Sequence, residues 1–198
     1  MKKEQLKTGT IIVFTILIFL SVVYFSTTIK DSQENYLLKN ILKADGDFSK
    51  VSIDSQKASQ YYGEASYSYE DGNYKLVESN CRLARGYYLE ESQGYKKIKA
   101  ELNAKEIEDE LIYLYINILD ASIEMSNNMF EACEHFEVVA RYYDKYYNTN
   151  VPYDDMSYNM GTAELDMMNE KIRDHDKAVE NYNNFLEEFR VELEKRIN

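Results

Sequence analysis

The chain is poor in residues that interrupt helices. Its 198 residues include one proline and seven glycines, which predicts long helices with few breaks. Tryptophan is absent, and histidine and cysteine occur twice each. Cys81 and Cys133 fit no zinc or redox spacing. Two buried thiols and a disulfide in an oxidising compartment both stay open for them. No glycine-rich phosphate loop, nucleophile elbow or paired His/Cys arrangement is present. The chain is therefore expected not to be an enzyme, with no cofactor and no catalytic residue. Glu131 and His135 in "EACEH" lie one helical turn apart, a spacing metals use. A ferritin-like site, however, needs several inward carboxylates and Glu-x-x-His pairs on different helices. No such pair occurs, and no metal is expected.

Basic charge is scarce outside the first segment. The net charge is −12. Residues 1–30 hold four lysines against one glutamate, so the remainder carries −15. Phosphate backbones repel such a surface, which argues against nucleic-acid binding. The one long uncharged run is Thr8–Ile29, 22 residues. About 20 helical residues cross a bilayer core, so this run is expected to be an uncleaved transmembrane anchor. The small-residue cleavage pattern of a signal peptide is missing. Lys2, Lys3 and Lys7 place the N-terminus in the cytoplasm by the positive-inside rule. The expected order is a head at 1–7, an anchor at 8–29, a juxtamembrane helix and linker at 30–49 and a helical domain at 50–198. The expected location is the plasma membrane of a prokaryote, with the acidic domain outside.

Beyond the anchor, helical spacing recurs. A first helix continues through Tyr36, Leu37, Ile41 and Leu42, and "KADGDFSK" is read as its break. The next run spans about 51–70, with Ala58, Tyr61, Ala65 and Tyr69 three or four apart. Gly72-Asn73 turns the chain into a helix over 74–102. "NAKE", Asn103 to Glu106, reads as a capping box before the following helix. Asn127-Asn128 is read as a second turn, "NTNVP" as a loop with Pro152 in a first helical turn, and Asp174 as the joint of a last helix pair. The fold expected is all-α: one transmembrane helix, then about three antiparallel hairpins.

The second helices of these hairpins share a grammar. "GNYKLVESNCRLA", "NMFEACEHFEVVA" and "RDHDKAVENYNNF" place rings at Tyr74, Phe130 and His175, then Val77, Cys133 and Ala178 three residues on. This resembles the tetratricopeptide repeat. The first unit carries it best, through Tyr61, Ala65, Tyr69, Gly72, Asn73, Tyr74 and Ala84. The second keeps Ala121, Phe130 and Ala140 but has Glu137 where an aromatic is usual. The third needs an insertion and keeps Gly161, Ala178 and Tyr182. The spacings of 56 and 45 residues exceed the usual repeat of about 34, and a helical bundle or an irregular α-solenoid stays open beside it.

Tyrosine is the abundant residue, at 19. Adjacent pairs such as Tyr142-Tyr143 and Tyr146-Tyr147 cannot bury both rings on one helix face. The resemblance implies a concave face formed by the first helix of each hairpin. That face would carry Tyr62, Ser66, Tyr69, Tyr115, Ser122, Asp155, Tyr158 and Asp166, an aromatic and acidic groove for a peptide of some basic character. The function expected is a membrane-anchored protein-interaction scaffold or accessory subunit, its expected partner a protein such as a membrane or secretion/envelope assembly. A helical ligand-binding or sensory domain and a structural subunit of a larger membrane complex are the alternatives.

Overall fold

The computed structural model describes residues 32–148 and 155–197. They form four helices: α1 Ser32–Glu70, α2 Tyr74–Asn103, α3 Glu110–Asn148 and α4 Asp155–Ile197. Successive helices run antiparallel, and each packs chiefly on its neighbours in sequence. A slighter contact joins α1 to α3, and α4 lies on α3. The longest helix, α4, has 43 residues, about 65 Å at 1.5 Å per residue.

The all-α reading holds for the described residues, but its transmembrane helix and three hairpins are corrected. The expected anchor at 8–29 lies outside the described residues. Among the described residues no helix is long and apolar enough to cross a membrane. Each carries an exposed charged face along its length. The expected single-pass location in a prokaryotic plasma membrane is corrected with it.

Three expected breaks lie inside helices. "KADGDFSK" does not end α1, because Leu37, Leu38, Ile41, Ala44 and Phe48 form one buried stripe at helical spacing. Ser49 Oγ donates to the Asp45 carbonyl one turn back, and Lys50 Nζ donates to Asp47. Nor does Asn127-Asn128 turn the chain. The buried positions 111, 115, 118, 122, 126, 129, 133, 136, 140 and 143 run through it three or four apart. Asp174 is likewise mid-helix and pairs with Lys177 at 2.7 Å. Merging the expected pairs leaves two long hairpins, α1/α2 and α3/α4.

Two turns are sharply made. At Gly72 φ is +70°, a left-handed conformation that glycine adopts without a Cβ penalty. The Asn73 side chain then caps α2 by accepting from the Leu76 amide. At the other end the cap of α3 is Asp109, which accepts from the Leu111 amide at 2.9 Å, and not the expected box at Asn103. Glu106 instead takes a φ of +52° in the connection. Arg196, near the end of α4, donates to Asp109 at 2.8 Å. Pro152 lies outside the described residues.

The core has two apolar clusters stacked along the helices. One surrounds Ile41, Phe48, Tyr95, Leu111, Ile112, Leu119 and Phe189, near the 104–109 connection. The other surrounds Ala58, Ala65, Val77, Cys81, Ala132, Cys133, Phe136 and Val139. Cys81 and Cys133 are free, buried thiols. Burial pushes the Cys133 thiol up to about 12 and that of Cys81 upward as well. Between the clusters lies a polar layer. Ser92 donates to Asn127 at 2.7 Å and Tyr95 donates to the buried Glu91 at 3.1 Å.

Candidate functional site

The end of the molecule that carries the Gly72 turn is built from tyrosine. There α1 and α3 finish while α2 and α4 begin. The ends of four helices thus deliver rings to one place: Tyr69 from α1, Tyr74 from α2, Tyr143, Tyr146 and Tyr147 from α3, and Tyr158 from α4. Tyr69 stacks on Tyr143 at 6.1 Å, and Tyr74 stacks on Tyr147 at 5.8 Å. Tyr143 in turn stacks on Tyr158 at 5.8 Å. Edge contacts join Tyr69 to Tyr74 and Tyr146 to Tyr147. Offset and edge geometries of this kind are favoured by the ring quadrupole.

Burial falls across this network. Phe136 and Tyr143 are 3% and 6% exposed and root it in the core, whereas Tyr158, Tyr147 and Met156 are 43%, 57% and 75% exposed. The buried ring is fixed in place from α4. A Cβ on Gly161 would strike the Tyr143 ring and approach the Tyr142 Cβ to 3.3 Å. Glycine there lets α4 lie flat against the ring. The Tyr143 hydroxyl and Thr162 Oγ1 share a hydrogen bond of 3.2 Å. Burial, then the neighbouring phenols of Tyr143 and Tyr74, pushes the Tyr69 hydroxyl up to about 12. Tyr69 is therefore a neutral phenol at ordinary pH.

Next to this cluster sits a clamp of charge. Glu137, 3% exposed at its side chain, meets Arg82 at 3.2 Å, Arg85 at 3.4 Å and Arg141. Glu78 meets Arg82 and Arg141 at 3.0 and 2.9 Å. Glu137 ties α2 to α3 by charge. Glu131 and His135 do not converge. Glu131 pairs with Lys171, and His135 Nδ1 lies 2.7 Å from Glu164.

The structure divides the expected groove residues. Tyr69 and Tyr158 both join the tyrosine end, linked through Tyr143. Tyr62 is half-buried against Phe136, and Ser66 donates to the Tyr62 carbonyl. Asp155 and Asp166 are exposed on α4. Tyr115 and Ser122 are 3% exposed and belong to the interior. Tyr115 packs edge-on against Phe189, and Ser122 donates to the Ile118 carbonyl. The single concave face is thus not assembled. Sequence reading did not assign Tyr74, Tyr143, Tyr146 and Tyr147 to a site. Their signal was the tyrosine density on either side of two helix ends.

Fold and site define an all-helical antiparallel array that closes one end with a half-exposed aromatic network. Comparison with protein-family models, curated proteins and solved structures returned no match for the chain.

Proposed function

We propose that the chain is a protein-interaction scaffold and that the tyrosine-rich end is its docking surface. The observation that carries this reading is the outer part of the aromatic network, the exposed Tyr147 and Tyr158 with the half-buried Tyr74, standing on rings fixed in the core. Tyrosine offers a large contact area with few rotatable bonds and a hydroxyl at the tip, which suits recognition. Rings held by neighbours lose little further freedom on binding. The rim is net acidic: Glu70 and Asp71 beside the Gly72 turn and Asp144 and Asp155 at the α3 and α4 ends outnumber Lys75 and Lys145. Phenol faces and carboxylates together suit a partner segment bearing Arg or Lys, through cation–π and charge contacts. The resemblance to tetratricopeptide hairpins supports a binding role and rests on the α1/α2 unit alone.

The test is the double substitution Tyr147→Ser with Tyr158→Ser, and Tyr113→Ser as its control. Tyr113 is 54% exposed near the start of α3, away from these rings. Partners are captured by crosslinking in the native setting, and the affinity of the specific one is then measured. The double variant should bind at least about tenfold more weakly, with a thermal midpoint close to wild type because exposed sites contribute little to stability. Unchanged affinity would refute the docking surface.

A further inference from the structure

Among the described residues three carboxyl groups lie deep in the protein, and they are treated differently. Glu137 is surrounded by three arginines. Asp45, 4% exposed, and Glu91, 6% exposed, have no Lys, Arg or His nitrogen at ion-pair distance among the described residues. Glu91, on α2, receives the Tyr95 hydroxyl and sits beside the hydroxyls of Ser55 on α1 and Ser126 on α3. Asp45, on α1, faces the Tyr115 hydroxyl of α3, yet neither Asp45 Oδ2 nor that hydroxyl completes a hydrogen bond of good geometry. A lone carboxylate in such a place is costly, and the neutral acid is the form the surroundings tolerate.

Between the two acids α1 passes tightly against α2. A Cβ on Gly94 would lie 2.6 Å from Val51 Cγ2. Segment 37–55 of α1 covers both carboxyls, and its partners are α2 and, more lightly, α3.

We infer that Asp45 and Glu91 form a proton-held latch: both are neutral while α1 is docked, and release of their protons to solvent undocks segment 37–55 from α2 and α3. The charged and titratable groups around them favour this direction. From α1, Asp47 and Asp54 face inward neighbours while pairing with the exposed Lys50 and Lys57. From α2 come the phenols Tyr88 and Tyr95, from α3 Tyr115, and from α4 Tyr182. The lysines nearby, Lys50 and Lys57 with Lys43 and Lys97 around Asp47, are not at ion-pair distance from Asp45 or Glu91 among the described residues. Burial pushes Glu91 from 4.5 to about 7 and Asp45 from 3.8 to about 6, opposed in part by the hydroxyls.

The sign follows from the raised values. The folded state holds these protons more tightly than the open state, so docking is strongest below pH about 4 and weakens as pH rises toward about 7. Each proton released multiplies the opening constant by up to about tenfold per pH unit in that window. Tyr62 and Tyr69 lie beyond the segment, in the second core cluster, so undocking leaves the tyrosine end assembled.

Hydrogen exchange of the full chain at pH about 5 and about 8, corrected for intrinsic rates, reads the latch. Amides of 37–55 should lose protection by at least about tenfold at the higher pH, and those of 129–143 should not. Asp45→Asn with Glu91→Gln should make segment 37–55 insensitive to pH. Infrared spectra of the wild type, which need no variant to fold, should show protonated carboxyl groups at pH about 5 that vanish by pH about 8. Flat exchange across this range, or both carboxyls already ionised at pH about 5, would overturn the latch.

Discussion

A buried carboxylate shows most clearly how single residues decide this structure. Glu137 puts a charge into the interface between α2 and α3, and burial alone should weaken that interface. Glu137 is retained because positive charge surrounds it: Oε1 accepts from Arg82 and Arg141, and Oε2, which accepts no hydrogen bond, faces Arg85 at 3.4 Å. The three arginines are not equivalent. Arg85 is 30% exposed at its side chain, while Arg82 and Arg141 are 62% and 52% exposed. Exposed pairs contribute little, whereas a buried charged oxygen that loses its counter-charge costs at least about 1–3 kcal/mol. Arg85→Ala is therefore expected to destabilise the fold by about that amount in urea titration. Arg141→Ala should cost less, because Oε1 keeps Arg82. Equal costs for the two would mean that Glu137 Oε2 does not depend on the charge of Arg85.

At the scale of the helix, sequence and structure part where polar residues lie on a buried stripe. The Gly72 turn was legible because a left-handed glycine followed by a capping asparagine is a local device that needs no tertiary knowledge. The ends of α1 and α2 at that turn fall where their spacing places them. Asn127-Asn128 looked like a turn because asparagine pairs often make one. Its neighbour on α2, Ser92, could not be seen from the chain, and that bond gives Asn127 a place inside the core. The same holds for Asp45, which faces Tyr115 across the interface. The tyrosine end was half legible. Tyr69 and Tyr158 were singled out, but Tyr143, through which they meet, depends on how α3 and α4 pair. Gly161 fixes that pairing. Gly161→Ala is expected to cost about 1–3 kcal/mol through overpacking against Tyr143, and to change the near-ultraviolet circular dichroism of the tyrosines. Gly63→Ala, where a Cβ meets nothing within 4 Å, is the control and should be neutral or mildly stabilising. A silent Gly161→Ala would mean that α4 sits further from α3 than described.

Over the whole molecule, the four helices serve as struts that bring distant parts of the chain to one end. Rings separated by up to 89 positions, from Tyr69 to Tyr158, are joined there through Tyr143. The opposite end has Tyr113, equally exposed but outside the network. Comparing these two ends tests the account most directly. Benzoylphenylalanine is placed at 147 in one sample and at 113 in another, and both are irradiated in the source cells. The account predicts a discrete protein adduct from position 147 that is absent from position 113, with basic residues in the crosslinked segment of the partner. No adduct from 147, or the same adducts from both ends, would contradict it.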